Sequence, residues 1–220
     1  MEYKGIEIGW LHHDCFRIAG GGLILYTDPY KVERSYNDGD VILITHDHYD
    51  HCNPESIKKL VKDETVIVAP KDCEEKLSEF KQKKVFVSPN EVKIVRGVSI
   101  RTVRSYNLNK FRAPGEVFHP KEKGNVGYVF TISGVKFYIA GDTDAIPEMK
   151  DIKADVAFLP VSGIYVMTSD EAAEAALTIK PDLAVPMHYG SGIGTEKDAL
   201  NFADKLKGRI KVEILRTIEG

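Results

Sequence analysis

The segment THDHYDH, residues 45–51, constrains this chain more than any other part of its sequence. It follows the apolar run VILI and holds three of the chain's seven histidines together with two aspartates. Neutral imidazole and carboxylate are the usual protein ligands of zinc, iron and manganese. The alternative is a polar loop whose side chains hydrogen-bond one another and water. The segment therefore indicates either a metal site or a polar loop. Ligand residues elsewhere in the sequence distinguish these two interpretations.

The spacing of these ligand types favours two metal positions. His46 and His48 lie two residues apart on a segment leaving a strand, where alternate side chains point the same way. Both imidazoles can therefore reach one ion. Asp50 and His51 follow as the chain turns toward a helix that begins at Pro54, and we expect them at a second position close by. Two adjacent ions can share a hydroxide and brace both the attacking and the leaving oxygen.

The hydrophobic pattern predicts an α/β protein. Short apolar runs bounded by Gly, Asp and Pro fill the first third, and strand and helix patterns alternate in the last quarter. No repeat or low-complexity linker interrupts the chain, which predicts a single domain over residues 1–220 with two sheets between helices. The helices are predicted over residues 54–63, 71–82, 169–180 and 196–208, and a last strand over residues 209–215.

Two later segments carry the same ligand types. Asp142 in YIAGDTD and His188 in AVPMHYG each follow a buried apolar run, which is where α/β proteins build their sites. Together with the HxHxDH segment, these motifs resemble the metallo-β-lactamase superfamily. The stretches WLHHDCFRI and YTDP extend the resemblance to the small hydrolases of that superfamily related to L-ascorbate-6-phosphate lactonase.

The resemblance implies a four-layer αββα sandwich of two mixed β-sheets flanked by helices. It also implies two divalent metal ions, with zinc as the first expectation and manganese or iron as alternatives. His46 and His48 would bind the first ion, and Asp142 would bridge both. Asp50, His51 and His188 would bind the second ion, which makes Asp50 and Asp142 the carboxylates at the reaction centre.

One ligand of the superfamily pattern is missing from its usual place. The first metal usually receives a third histidine from a loop that precedes the bridging aspartate, and Asn107 stands where that histidine is expected. The same loop carries its one imidazole later, at His119. We predict that His119 faces the metals as a ligand or a substrate contact. Asn107 would be the weaker ligand because it offers only a neutral amide oxygen.

Three further residues are candidates around the centre. Asp28 is expected to orient a ligand histidine through its free ring N–H, although an Asx turn before Pro29 is the alternative. His13 is expected to line the pocket or to supply an additional ligand, unless it is a polar residue outside the centre. Tyr165 resembles a tyrosine near the site of these relatives, and a core aromatic is the other interpretation.

The chemistry predicted for such a centre is hydrolysis. A hydroxide held between two cations would attack an ester, lactone or phosphodiester bond of a small-molecule substrate. Two alternatives from other classes stay open. One is a redox di-iron protein with a separate electron donor, and the other is a non-catalytic protein whose binding depends on metal.

Composition narrows the remaining choices. A formal charge of −3 gives no electrostatic reason to expect a nucleic-acid partner, and no apolar run approaches the about 20 residues that cross a bilayer. Three cysteines without CxxC spacing indicate reduced thiols, so Cys52 beside the histidines is expected to be a small buried hydrophobe. We therefore expect a cytoplasmic protein without a membrane partner, and a homo-oligomer is compatible with the sequence.

Overall fold

The computed structural model describes residues 1–219, in which two seven-stranded sheets pack face to face. The strands of the first sheet follow one another in chain order. They are antiparallel from the first to the fourth and parallel from the fourth to the seventh. These strands are β1 (Glu2–Tyr3), β2 (Ile6–His12), β3 (Cys15–Gly20), β4 (Leu23–Thr27), β5 (Gly39–Leu43), β6 (Val61–Pro70) and β7 (Lys83–Val87).

The second sheet is also mixed. Its strands are β8 (Val92–Val95), β9 (Val98–Arg104), β12 (Val126–Ile132), β13 (Val135–Ile139), β14 (Val156–Pro160), β15 (Leu183–Met187) and β16 (Lys211–Val212). They lie side by side in the order β16-β15-β14-β13-β12-β9-β8, with β13 to β16 parallel and the other neighbours antiparallel. Between β9 and β12, the short strands β10 (Phe111–Ala113) and β11 (Glu116–Val117) form a separate hairpin.

Alternation along the strands explains why the sheets face each other. In β5, Val41 and Leu43 belong to the core cluster between the sheets. Ile42 and the following Ile44 belong instead to a second cluster on the outer face. Because successive side chains of a strand point to opposite faces, this strand is apolar on both and needs cover on both. The facing sheet covers one side and helical segments cover the other.

Helices complete the outer layers. On the first sheet, α1 (Pro54–Leu60) begins at the Asn53 cap and buries Ile57 and Leu60 in the outer cluster. On the second sheet, α2 (Ser169–Ile179) and α3 (Glu196–Leu206) pack against each other and against β14, β15 and β16. The predicted four-layer αββα architecture is confirmed. Within residues 1–219, no helix combines the length and apolar character that spanning a membrane would need.

Two predicted elements were wrong. Residues 71–82 form a short 3-10 helix, Lys71–Cys73, followed by turns, where the sequence predicts one amphipathic helix. Cys73, Leu77 and Phe80 are buried as that pattern requires, but hydrogen bonds such as Phe80 N to Leu77 O span three residues. The last predicted strand is reduced to the two residues of β16. In residues 71–82, burial of these side chains satisfies the apolar pattern without a regular helix.

A direct contact between the sheets yields a test of the shared core. Phe16 of β3 and Phe158 of β14 are fully buried, and their ring centroids lie 4.4 Å apart. We expect Phe158→Ala to lower the free energy of unfolding by about 3–5 kcal/mol, because it leaves a cavity between the sheets. Denaturant unfolding measures the loss. Ile94→Ala, at a side chain 79% exposed, is the control and should change the free energy by under about 0.5 kcal/mol.

Candidate metal centre

The predicted ligands meet at one edge of the sandwich. His46 follows β5, Asp142 follows β13 and His188 follows β15, each just beyond the carboxyl end of a strand. The turn between β2 and β3 brings His13 to the same edge. Because the carboxyl ends of parallel strands meet at one edge of a sheet, residues far apart in sequence become neighbours there. Six of the chain's seven histidines gather at this edge, and His12 alone stays outside.

One cluster joins His46, His48, His119 and Asp142. Each of these side chains offers one ligand atom, and the four atoms lie within 4.8 Å of one another. The His119 Nε2 atom lies 3.2 Å from His48 Nδ1 and 3.3 Å from Asp142 Oδ2. Three imidazoles and a carboxylate in this arrangement match a tetrahedral or larger coordination sphere.

A second cluster lies beside the first. It consists of His13, Asp50, His51 and His188, whose ligand atoms also lie within 4.8 Å of one another. The His13 ring is fully buried, and its Nε2 lies 3.4 Å from Asp50 Oδ2. Its ring centroid is 4.1 Å from that of His188. The structure thus brings His13 into the group of ligand types, rather than leaving it as an isolated polar residue.

Asp142 stands between the two clusters. Its Oδ1 lies 3.3 Å from the Nε2 atoms of both His51 and His188. Its Oδ2 lies 3.3 Å from His119 Nε2 and 3.9 Å from His46 Nε2. Each oxygen of one carboxylate therefore faces a different cluster, which is the geometry that a bridging ligand requires.

Asn107 holds His119 and contributes no atom to either cluster. Its Oδ1 accepts from the backbone N–H and from Nδ1 of His119, both at 2.9 Å. Because an amide oxygen only accepts, the His119 ring carries its proton on Nδ1 and leaves the Nε2 lone pair facing the cluster. The Asn107 amide in turn donates to Asp144 Oδ1 and to the Tyr165 carbonyl. The sequence offers Asn107 as a candidate ligand, but in the structure it contacts the clusters only through its hydrogen bonds to His119.

Asp28 organises the other side of the centre. Its Oδ2 lies 2.9 Å from His51 Nδ1 and accepts from the Thr45 hydroxyl at 2.7 Å. Its Oδ1 accepts from the Thr45 backbone N–H. The Thr45 hydroxyl also lies 3.0 Å from His46 Nδ1, so one carboxylate orients two imidazoles. Gly141 packs against this threonine, where an added Cβ would lie 2.9 Å from Thr45 Cβ.

Three residues of the centre have a strained backbone conformation. His13, Asp28 and His188 adopt φ values of 54°, 33° and 60°, in the left-handed region that side chains other than glycine rarely enter. Each such residue costs on the order of 1–3 kcal/mol and persists only where its surroundings enforce it. The surrounding structure therefore holds these three residues in place despite the strain in their backbones.

The electrostatics of the cluster centre on the Asp142 carboxylate. Burial by itself raises the pKa of Asp142, but the charges of His188 and His51 bring it well below its usual value. Burial lowers the pKa of His51, whereas Asp142 and Asp28 raise it well above the ordinary range. Burial is the main reason that the pKa values of His13 and His119 fall to about 4. Those two rings are therefore neutral near pH 7 and able to bind a cation.

The donor set fits divalent metal ions. Several buried ring nitrogens and carboxylate oxygens have no hydrogen-bond partner, although such atoms are normally satisfied. Among residues 1–219, these atoms include Nε2 of His13, His46, His51 and His188, Oδ1 of Asp142 and both carboxylate oxygens of Asp14. The same side chains form the two clusters, apart from Asp14, which lies behind His51. Cations held by the clusters would satisfy the orphaned ligand atoms.

The structure also gives the positions of the remaining candidate residues around this centre. Tyr165 lines the cavity beside the clusters together with Phe118 and Ile193. Cys52 is buried in the apolar cluster on the outer face of the first sheet, as expected of a small hydrophobe. Sequence reasoning missed Asp14, which is fully buried against the site. Its position directly after His13 was the one available signal, and the sequence alone does not show burial.

The fold and the site together define a class. Two facing mixed sheets with adjacent histidine–aspartate clusters at their carboxyl edge are the features of a metallo-β-lactamase-fold protein. The sequence model described as "Beta-lactamase superfamily domain" matches residues 7–188. The chain belongs to this superfamily, as its motifs predicted.

Individual relatives support the assignment. A UPF0173 metal-dependent hydrolase of Thermoplasma acidophilum is 31% identical over 201 residues, which cover 86% of this chain and 85% of the relative. Another from Methanoculleus marisnigri is 34% identical over 194 residues, with 84% and 81% covered. A crystal structure from Parabacteroides distasonis, described as a metal-dependent hydrolase, has 33% identity and a TM-score of 0.83. The match covers 96% of this chain and 93% of that one. The relation to L-ascorbate-6-phosphate lactonase stays a prediction.

The contact between Asn107 and His119 gives a test that does not depend on turnover. We expect Asn107→Ala to weaken the binding of one of two metal ions by about 10–100-fold, because His119 loses the acceptor that fixes its ring. Competition with a metal-sensitive chelator dye measures this. Asn109→Ala, two residues away and bonded to Glu171, is the control and should bind metal normally. Unchanged affinity in Asn107→Ala would show that His119 needs no such support.

Proposed function

We propose that this chain is a metal-dependent hydrolase whose two clusters hold two divalent cations. His46, His48 and His119 would bind one ion, and His13, Asp50, His51 and His188 would bind the other. Asp142 would bridge them. The observation that carries the proposal is the Asp142 carboxylate, with one oxygen directed at the histidines of each cluster. We also propose that residues 1–220 act as a single domain, because both sheets contribute to one core.

The ligand types bear on which metal is bound. All the ligands are imidazole nitrogens or carboxylate oxygens, a set that zinc, manganese and iron accept. Thiolates are absent from both clusters of the described residues. Zinc is our first expectation because it accepts four ligands, which the first cluster supplies. The second cluster, with five protein ligands if Asp142 is included, also suits manganese or iron.

When bound, a pair of divalent ions supplies Lewis acidity and lowers the pKa of water, which is the chemistry of hydrolysis. The chain's own residues prepare the centre for it. Asn107 and Asp28 fix the rings of His119 and His51, so that neither ring has to reorient during a reaction. Asp50 reaches the cavity, and a pKa of about 2 keeps it ionised, since contact with His13 and the charge of His51 outweigh the effect of burial. The bond cleaved would be that of an ester, lactone or phosphodiester.

Metal removal tests the proposal directly. We expect the purified protein to carry close to two transition-metal ions per chain and to lose hydrolytic activity when a chelator removes them. Adding manganese or zinc should restore it, because the ligand set accepts both. Elemental analysis alongside rates on esters, lactones and bis-p-nitrophenyl phosphate measures this. Full activity after exhaustive metal removal would contradict the proposal.

A substitution tests the bridging role. Asp142→Asn keeps the shape but removes the negative charge that offsets the repulsion between two cations. We expect metal content to fall. We also expect turnover to fall by more than the roughly 10–100-fold typical of losing an outer ligand partner. Asp170→Asn, at an exposed aspartate on α2, is the control. Wild-type metal content and rate in Asp142→Asn would show that the bridge is wrong.

A further inference from the structure

The cavity beside the metal clusters has an apolar wall. Its volume is about 260 Å³, just below the range of about 300–1,000 Å³ typical of ligand pockets. On one side it is open to His48, Asp50, His119 and Asp142 of the clusters. The other side consists of aromatic and aliphatic side chains, namely Tyr49, Phe118, Tyr165 and Ile193. A small molecule held here would place one end at the clusters and the other against apolar groups.

The aromatic residues form an ordered surface. The rings of Phe118 and Tyr165 meet edge to face with centroids 4.7 Å apart, and Tyr49 meets Tyr30 in the same way at 5.7 Å. Tyr49 is nevertheless 62% exposed. The other three wall side chains are half-buried, so together the four present a partly exposed apolar surface that an apolar group of a ligand could cover. The apolar wall can therefore contact an apolar group of a ligand.

Among the described residues, the side chains that line the cavity include no permanent cation. Neither lysine nor arginine is among its lining residues in the described part of the chain. The lysines on the surrounding loops already have partners. Lys110 pairs with Glu171, Lys123 with Asp72, and Lys31 donates to the Ser191 carbonyl. Phosphorylated substrates are usually held by arginine or lysine side chains, so a second anionic group on the substrate would find neither among the residues that line the cavity.

We propose that the substrate is a neutral carboxylic ester or lactone whose acyl part is apolar and lies against Phe118 and Tyr165. This inference rests on the proposed function, because it takes the metal clusters as the place of bond cleavage. In the reaction, a water oxygen bonds to the carbonyl carbon and the bond from that carbon to the alkoxy oxygen breaks. The alkoxy oxygen takes a proton from that water, so an ester gives a carboxylic acid and an alcohol, and a lactone gives a single hydroxy acid.

A chain-length series tests the proposal. The metal-loaded protein is assayed with p-nitrophenyl acetate, butyrate and hexanoate, and with bis-p-nitrophenyl phosphate. We expect kcat/KM to rise by about fourfold for each added methylene until the cavity is full, because each buries apolar surface. The phosphodiester should be the poorest substrate. As a second readout, hexanoate should inhibit more tightly than acetate.

Two variants locate the effect at the wall. Phe118→Ala should flatten the dependence on chain length, and Phe118→Leu, which keeps an apolar side chain, should retain most of it. Ile94→Ala lies on β8, outside the cavity lining, and is the control that should keep both the rate and the slope.

The outcomes separate this inference from the proposed function. Hydrolysis without chain-length dependence, or with the phosphodiester preferred, would overturn the apolar ester assignment and leave the metal-dependent hydrolase standing. Absence of hydrolysis of every substrate by protein carrying two metals would overturn both.

Discussion

Charge balance at the buried edge of the two sheets is the constraint on which this molecule depends. Four aspartates lie there, each at most 7% exposed, and within residues 1–219 their ionic partners are all histidines. These aspartates are Asp14, Asp28, Asp50 and Asp142. Burying an uncompensated carboxylate costs several kcal/mol, so a site of this kind needs cations. Bound metal ions would supply them without the bulk of lysine or arginine, and they would leave room for a substrate.

The sheets convert this requirement into geometry. Parallel strands in both sheets end at the same edge, so short loops deliver ligands that are separated by more than a hundred residues in the sequence. At His13 and His188, the backbone adopts the left-handed conformation that directs these ligands toward the centre. Asp28 and Asn107 hold the imidazoles from behind. An apolar wall lies next to the charged clusters, so the proposed substrate would have its reacting bond at the clusters and its apolar part at the wall.

The sequence predicted much of this from local spacing. The HxHxDH segment, Asp142 and His188 each follow a strand closely. Recognising the strand in the sequence was therefore enough to place each ligand at the carboxyl edge of a sheet. Asn107 was harder to interpret, because its role depends on the hairpin of β10 and β11, which returns the chain to His119. Asp14 was missed because its burial is created by distant residues. The helix predicted over residues 71–82 failed for a related reason, since its apolar pattern is satisfied by packing without regular helical hydrogen bonds.

The proposed centre has two cations that share the Asp142 carboxylate between two histidine clusters. Anomalous diffraction from crystals of the metal-loaded protein, collected at the absorption edge of the bound metal, tests it most directly. We expect two anomalous peaks, one among His46, His48 and His119 and the other among His13, His51 and His188, with Asp142 between them. A single peak, or a peak away from Asp142, would contradict it.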